Sequence, residues 1–266
     1  MTIASLSLTK FPLVIADLLK LRRRRGLLAI TALLTVGAIL LSYTVIELLH
    51  LSDRANQGPA GGVRGLGEAT FLLGLLASVS AVLVGATAWV GDLEAGVYRE
   101  LVVTGRARVA LFLARLPAGL ALLLPFVAGA YAAVAIVSIE RAGSHPTPSP
   151  SLILLTGLWL LLEVTFYYVL AVALSCLIGS RSYTIAIALA WRLALTPLLS
   201  QITALGIVRE LIPGIAIEDL APHALRNNVV QGPDITMPAA TCCIVLLGWA
   251  AVLLTCGGRR DCTRDT

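Results

Sequence analysis

Residues Leu152 to Ile178 read LILLTGLWLLLEVTFYYVLAVALSCLI, an unbroken apolar run carrying a single charge, Glu163. A hydrocarbon core about 30 Å thick is crossed by about 20 apolar residues in a helix rising about 1.5 Å per residue. Backbone groups in lipid must bond within their own segment, so the run predicts a spanning helix. The turn residues Gly179 to Ser182 follow, and a second apolar run extends from Tyr183 to about Val208. So short a turn makes the two runs antiparallel neighbours. On the other side, Glu140 to Pro150 contains Pro146, Pro148 and Pro150 and predicts an extended, solvated loop. Before it lies a long run, Val109 to Ile139, interrupted by Pro117 and Pro125, which predict a kink or an interfacial start.

Three further runs complete the pattern: Gly26 to Leu49, Ala69 to Val90 and Pro238 to Cys256. The first is too long for a signal-peptide core and no small-residue cleavage site follows it, so it is expected to remain as a span. Ahead of it, Phe11 to Leu21 places Phe11, Val14, Ile15 and Leu18 on one helical face and Asp17, Lys20 and Arg24 on the other. That pattern predicts an amphipathic interfacial helix ending in Arg22 to Arg25. The longest polar connection, Arg209 to Met237, has enough apolar residues between Ile215 and Val230 for short helices packed on the outer face. The expected architecture is one all-α transmembrane domain over residues 1–266. It has six spans, an N-terminal amphipathic helix within residues 1–25, and a short charged helix between the second and third spans.

Composition agrees: 58% of residues are hydrophobic, 13% are charged and the mean hydropathy is +0.91, whereas soluble domains carry about 25% charged residues. The net charge of +5 would raise the question of nucleic acid in a soluble chain. Here no basic and aromatic residues interleave as a base-stacking surface would need, and the basic residues crowd the ends of the spans. With both termini inside, fourteen of the twenty Lys and Arg fall in inner segments and five in outer loops, with Arg192 inside a span. The positive-inside bias therefore predicts cytoplasmic termini in a bacterial cell membrane.

Several chemistries find no residues. A phosphate-cradling G-x-x-x-x-G-K-[ST] loop needs a lysine after glycine, and the only lysines, Lys10 and Lys20, follow Thr9 and Leu19. The chain is therefore expected not to be an ATPase, nor to bind a cofactor or metal. His50, His145 and His223 are scattered over outer loops or their edges. The five cysteines show neither zinc spacing nor a disulfide framework and read as small apolar residues.

The most specific pattern is the connection between the second and third spans, GDLEAGVYRELVVTGRAR, residues Gly91 to Arg108. Asp92 can cap a helix, Glu94 complements its positive end and Gly105 can terminate it. Within it stand Glu94-x-Gly96, Leu101, Gly105 and Arg108, with Arg115 seven residues later. This resembles the ATP-binding cassette type-2 export permease family, whose members typically show E-x-G-T-x-x-x-L, a proline or glycine, an arginine and, seven later, a lysine. Val97 stands at the usual threonine and Arg115 at the usual lysine. The resemblance extends over the whole chain through the amphipathic helix, the six spans, the long fifth-to-sixth loop and the basic tail. It implies a permease that pairs with a second permease chain, as a homodimer, and couples to a separate ATPase subunit carrying ATP and Mg. It also implies that Asp92, Glu94, Gly96, Tyr98, Arg99 and Glu100 form the contact with that subunit. The implied activity is export of an amphipathic drug, peptide or lipid-like substrate, or self-protection by the same route.

Inside the spans, Glu163 and Arg192 stand out, since a charge at a helix centre costs about 2.5–3.5 kcal/mol on insertion scales. Counted from the intervening turn, they lie close enough in depth for a long arginine side chain to bridge. An ion pair holding two helices together is one reading. Lining a translocation path is the other, because Arg192, Thr196, Ser200 and Thr203 form a stripe on one face of the fifth span, with Pro197 to bend it. Thr31, Thr35, Ala38 and Ser42 form a comparable stripe on the first span, where helix packing is the preferred reading. An ion-coupled secondary transporter, with Glu163 as the titrating group, is the alternative to an exporter.

Overall fold

The computed structural model describes residues 11–52, 61–94, 108–143, 145–225 and 237–263. Helix makes up 91% and no strand occurs among the described residues; six helices are long and apolar enough to cross a membrane, so this is an all-α polytopic membrane protein. In order, the elements are α1 (Phe11–Arg23), α2 (Arg25–Ala32), a π-helical turn (Leu33–Gly37), α3 (Ala38–Ser52), α4 (Gly62–Glu94), α5 (Arg108–Glu140) and α6 (Pro150–Ile178). They continue with α7 (Arg181–Ala190), a second π-helical turn (Trp191–Leu195), α8 (Thr196–Gln201), a 3-10 run (Thr203–Leu211), α9 (Pro213–Asp219) and α10 (Ala239–Thr263). The first span runs from α2 through α3 and the fifth from α7 through α8; α4, α5, α6 and α10 are the second, third, fourth and sixth. Helix α1 packs against α5, burying Leu21 and leaving Ile15 and Leu19 exposed.

The second and fourth spans form the centre. Their most apolar stretches are 67% and 61% buried, against 33% or less for the other four, which therefore surround them. Small residues permit the central contact. A Cβ built at Gly85 would lie 2.8 Å from Ala171 Cβ and 2.9 Å from the Tyr168 carbonyl oxygen, so the two backbones meet there. Gly85→Leu should push this pair apart and lower stability by about 1–3 kcal/mol, the usual cost of overpacking. Thermal unfolding in detergent would check it, and an unchanged midpoint would show that the crossing has slack.

The fourth span starts where Ser149 Oγ accepts the Leu152 N–H at 3.2 Å, with Pro150 in the first turn. It ends at Gly179, whose φ of 75° is the left-handed conformation that stops a helix and turns the chain into α7. Helix α5 passes Pro117 and Pro125 as one element rather than beginning as a separate interfacial helix. At Gly119 the missing side chain leaves room for the Tyr168 ring, whose Oη donates to the Arg115 carbonyl at 2.7 Å.

In the fifth span every fourth residue, Thr184, Ala188, Arg192, Thr196 and Ser200, is buried. An ideal helix of 3.6 residues per turn would rotate such a line steadily off its face. The wider π turn at Trp191–Leu195 offsets that drift and keeps Arg192 and Thr196 pointing inward. Pro197, which cannot donate a backbone bond, lies just beyond, and Thr196 Oγ1 donates to the Trp191 carbonyl at 2.9 Å.

After Gln201 the structure departs from expectation. The fifth span stops there, short of Val208. The chain turns at Ile202, passes Gly206 at φ 51°, and Ile212 leads into α9, whose Pro213 to Ile217 are all buried. Ile217 sits level with Trp159, nine residues or about 14 Å along α6 from Pro150. Broken backbone at such depth is tolerable only where protein satisfies it. Trp249 Nε1 donates to the Leu211 carbonyl at 2.8 Å, Trp159 Nε1 to the Ile217 carbonyl at 2.7 Å, and Arg209 Nη1 to the Ser200 carbonyl at 3.2 Å. Within this connection α9 is thus packed into the bundle against α6 and α10.

Candidate functional site

Among the described residues, two polar clusters join several spans of this apolar bundle. The first joins the fourth span, the fifth span and α9. Arg192 Nη2 donates to Glu163 Oε1 at 2.6 Å, Arg192 Nη1 to Glu218 Oε1 at 3.4 Å, and the guanidinium lies 5.3 Å from the centre of the Tyr167 ring. Glu163 is 1% exposed and Arg192 7%, whereas the Glu218 side chain is 29% exposed. Glu163 Oε2 lies against Gly74 of α4, where a Cβ would approach it to 2.6 Å. The glycine therefore makes the space for the carboxylate. Thr196 and Gly214 are in equally close contact, so α9 rests directly on the polar stripe. Ser200 Oγ donates to the Pro197 carbonyl at 2.8 Å.

The second cluster gathers the helix ends around the connection between the second and third spans. Trp89 Nε1, near the end of α4, donates to Asp261 Oδ1 at 3.0 Å, and Arg108 Nη1, at the start of α5, donates to the Asp261 carbonyl at 3.5 Å. The Cys176 thiol, near the end of α6, donates to the Gly257 carbonyl at 3.0 Å and approaches Asp261 Oδ1 at 3.8 Å. The Arg115 guanidinium, 2% exposed, lies 5.9 Å from the Trp89 ring centre. Arg24, between α1 and α2, packs its guanidinium on Gly91. Asp17, Lys20, Arg24, Thr87 and Arg115 line a water-sized cavity beside it. The opposite end of the bundle is held by Arg141 and Glu47, 2.6 Å apart.

The expected site residues are accounted for unevenly. Glu163 and Arg192 are paired, and Thr196 and Ser200 are buried with Arg192. The backbone of Thr203 begins the 3-10 run. Asp92 and Glu94 lie in the last turn of α4, whereas Gly96, Tyr98, Arg99 and Glu100 lie outside the described residues. On the first span Thr31 and Thr35 are buried and donate to the carbonyls of Leu27 and Thr31, as packing residues do. Sequence reasoning missed Glu218 and Asp261. The available signals were an acidic residue closing the apolar run Ile215 to Ile217, and one standing a helical turn after Gly257 in a basic tail. Compared with protein-family models and with curated proteins, the chain matches none.

Proposed function

We propose that this chain is the transmembrane permease subunit of an ATP-binding cassette exporter, moving an amphipathic substrate out of the cytoplasm. Hydrolysis of ATP with Mg takes place on a separate ATPase subunit, and this chain supplies the path. The observation that carries the reading is the Glu94-x-Gly96 pattern at the junction after α4, where the helix ends at Trp89 and Arg108 are tied to α10 and that at Gly91 meets Arg24, the residue between α1 and α2. A force applied to residues 95–107 would reach most of the bundle through these contacts. Asp92, Glu94, Gly96, Tyr98, Arg99 and Glu100 are the contact with the ATPase.

The apolar stretches of the first, fifth and sixth spans are 22% buried or less, which leaves wide faces for lipid and for a second copy in a homodimer. The excess of basic residues at the end carrying Asp261 supports a reading with both termini in the cytoplasm of a bacterial cell. In the described state α9 lies against Arg192 and Thr196, so the path they border with Ser200 opens when α9 withdraws. The alternative, a carrier cycling a proton through Glu163, needs water to reach a carboxyl that is 1% exposed and bonded to Arg192.

The test is co-purification in detergent with the ATPase encoded beside this chain, assayed for vanadate-sensitive ATP hydrolysis. The wild type should associate and be active, and a Glu94→Ala, Gly96→Leu double variant should lose both. Purification alone, with substrate movement driven only by a proton gradient, would refute the reading.

A further inference from the structure

Helix α10 does not stop where its apolar run ends. It continues through Gly257, Gly258, Arg259 and Arg260 and buries Asp261 completely, at 0% exposure. Removing a carboxylate from water is costly unless its partners hold it. What the Asp261 contacts have in common is position. Trp89 is in the last turns of α4 and Arg108 is the first residue of α5, so they bracket the 95–107 connection. One donates to the Asp261 side chain and the other to its backbone.

One turn earlier, Gly257 seats the same helix. A Cβ there would lie 3.3 Å from both Ala173 Cα and Phe112 Cζ, and the Gly257 carbonyl accepts the Cys176 thiol. The end of the sixth span is thus wedged between α5 and α6, with its carboxylate under α4. We propose that Asp261 is a positioning residue, a staple that locks both flanks of the 95–107 connection to the sixth span, so that displacing the connection moves that span as well. Disturbing Trp89 also disturbs Arg115 on its ring face, and through the Tyr168 bond to the Arg115 carbonyl it reaches the fourth span. The staple is a property of the chain alone; its use in transport rests on the function proposed above.

The experiment is hydrogen–deuterium exchange on the full chain in phosphatidylcholine–phosphatidylglycerol nanodiscs, comparing wild type, Asp261→Ala, Asp261→Asn, Trp89→Phe and the Trp89→Phe, Asp261→Ala double variant. A buried hydrogen bond to a charged group is worth enough for about a tenfold change in opening. Asp261→Ala and Trp89→Phe should each raise exchange about tenfold at both 86–94 and 257–263. The double variant should exceed neither single by much, because the two residues share one interaction. Asp261→Asn keeps the acceptor oxygen and should retain most of the protection. Faster exchange confined to 257–263, or additive effects in the double variant, would overturn the staple. Should Asp261→Ala not fold, Trp89→Phe removes the indole donor while keeping an aromatic face for Arg115, and its comparison with wild type at the two segments decides the matter. In the complex with the ATPase, Trp89→Phe should preserve assembly and hydrolysis but reduce substrate moved per ATP. Unchanged stoichiometry there, with the exchange result positive, would count against the transport reading and leave the staple standing.

Discussion

Arg192→Met should be among the most damaging single substitutions in this chain, lowering stability by about 3–5 kcal/mol. Methionine replaces the aliphatic stem of arginine but leaves the Glu163 carboxylate, 1% exposed, without the cation that lies 2.6 Å away. It also removes the donor to Glu218 that ties α9 to the fifth span. The penalty belongs to the orphaned charge rather than to the lost bond, and this supplies the control. Glu163→Leu in the same chain should recover most of the loss, because replacing both members of a buried pair by apolar groups is often close to neutral. Reversible unfolding in bicelles, read as a double-mutant cycle, measures both quantities. If the single and double variants were equally unstable, the damage would lie in packing around Tyr167 and not in charge.

The second large effect is expected at Gly214. A Cβ there would collide with the Thr196 side chain, and both residues are buried. Gly214→Val should therefore lift α9 from the polar stripe, at a cost of about 1–3 kcal/mol. Thr196→Ala in the Gly214→Val background should restore part of the stability by removing the obstructing atoms, despite losing the Thr196 bond to the Trp191 carbonyl. A cysteine placed at Ser200, now 6% exposed, reports the displacement. Its labelling by a water-soluble maleimide should accelerate in Gly214→Val and slow again in the double variant. Labelling that stays at the wild-type rate would mean that the fifth span gives way instead of α9.

Much of the fold was legible because lipid leaves a chain few choices. Six apolar runs of spanning length, and the glycine and serine turn between the fourth and fifth, follow from local composition alone. The Glu163 and Arg192 pairing was one of two readings available from their depth. Counting residues could not choose between them, since both readings require the same two positions. What brings the two groups within 2.6 Å is the π turn at Trp191–Leu195 together with the space left by Gly74, neither of which has a periodic signature. The end of the fifth span was misplaced for a related reason. The residues after Gln201 are apolar enough to extend the helix to Val208, and the break shows only in the tertiary contacts, where Arg209, Trp159 and Trp249 donate to the carbonyls of Ser200, Ile217 and Leu211.

The sequence by itself determined the solvent, the helical class and the number of spans, because hydrophobic length and backbone hydrogen bonding in lipid are local requirements. The tertiary structure alone decided that Arg192 serves both Glu163 and Glu218, that α9 lies on Thr196, and that Asp261 bridges both sides of the 95–107 connection. Those contacts join residues from about 18 (Thr196 and Gly214) to 172 positions apart, where the outcome depends on how helix faces meet and not on the pattern within any one helix.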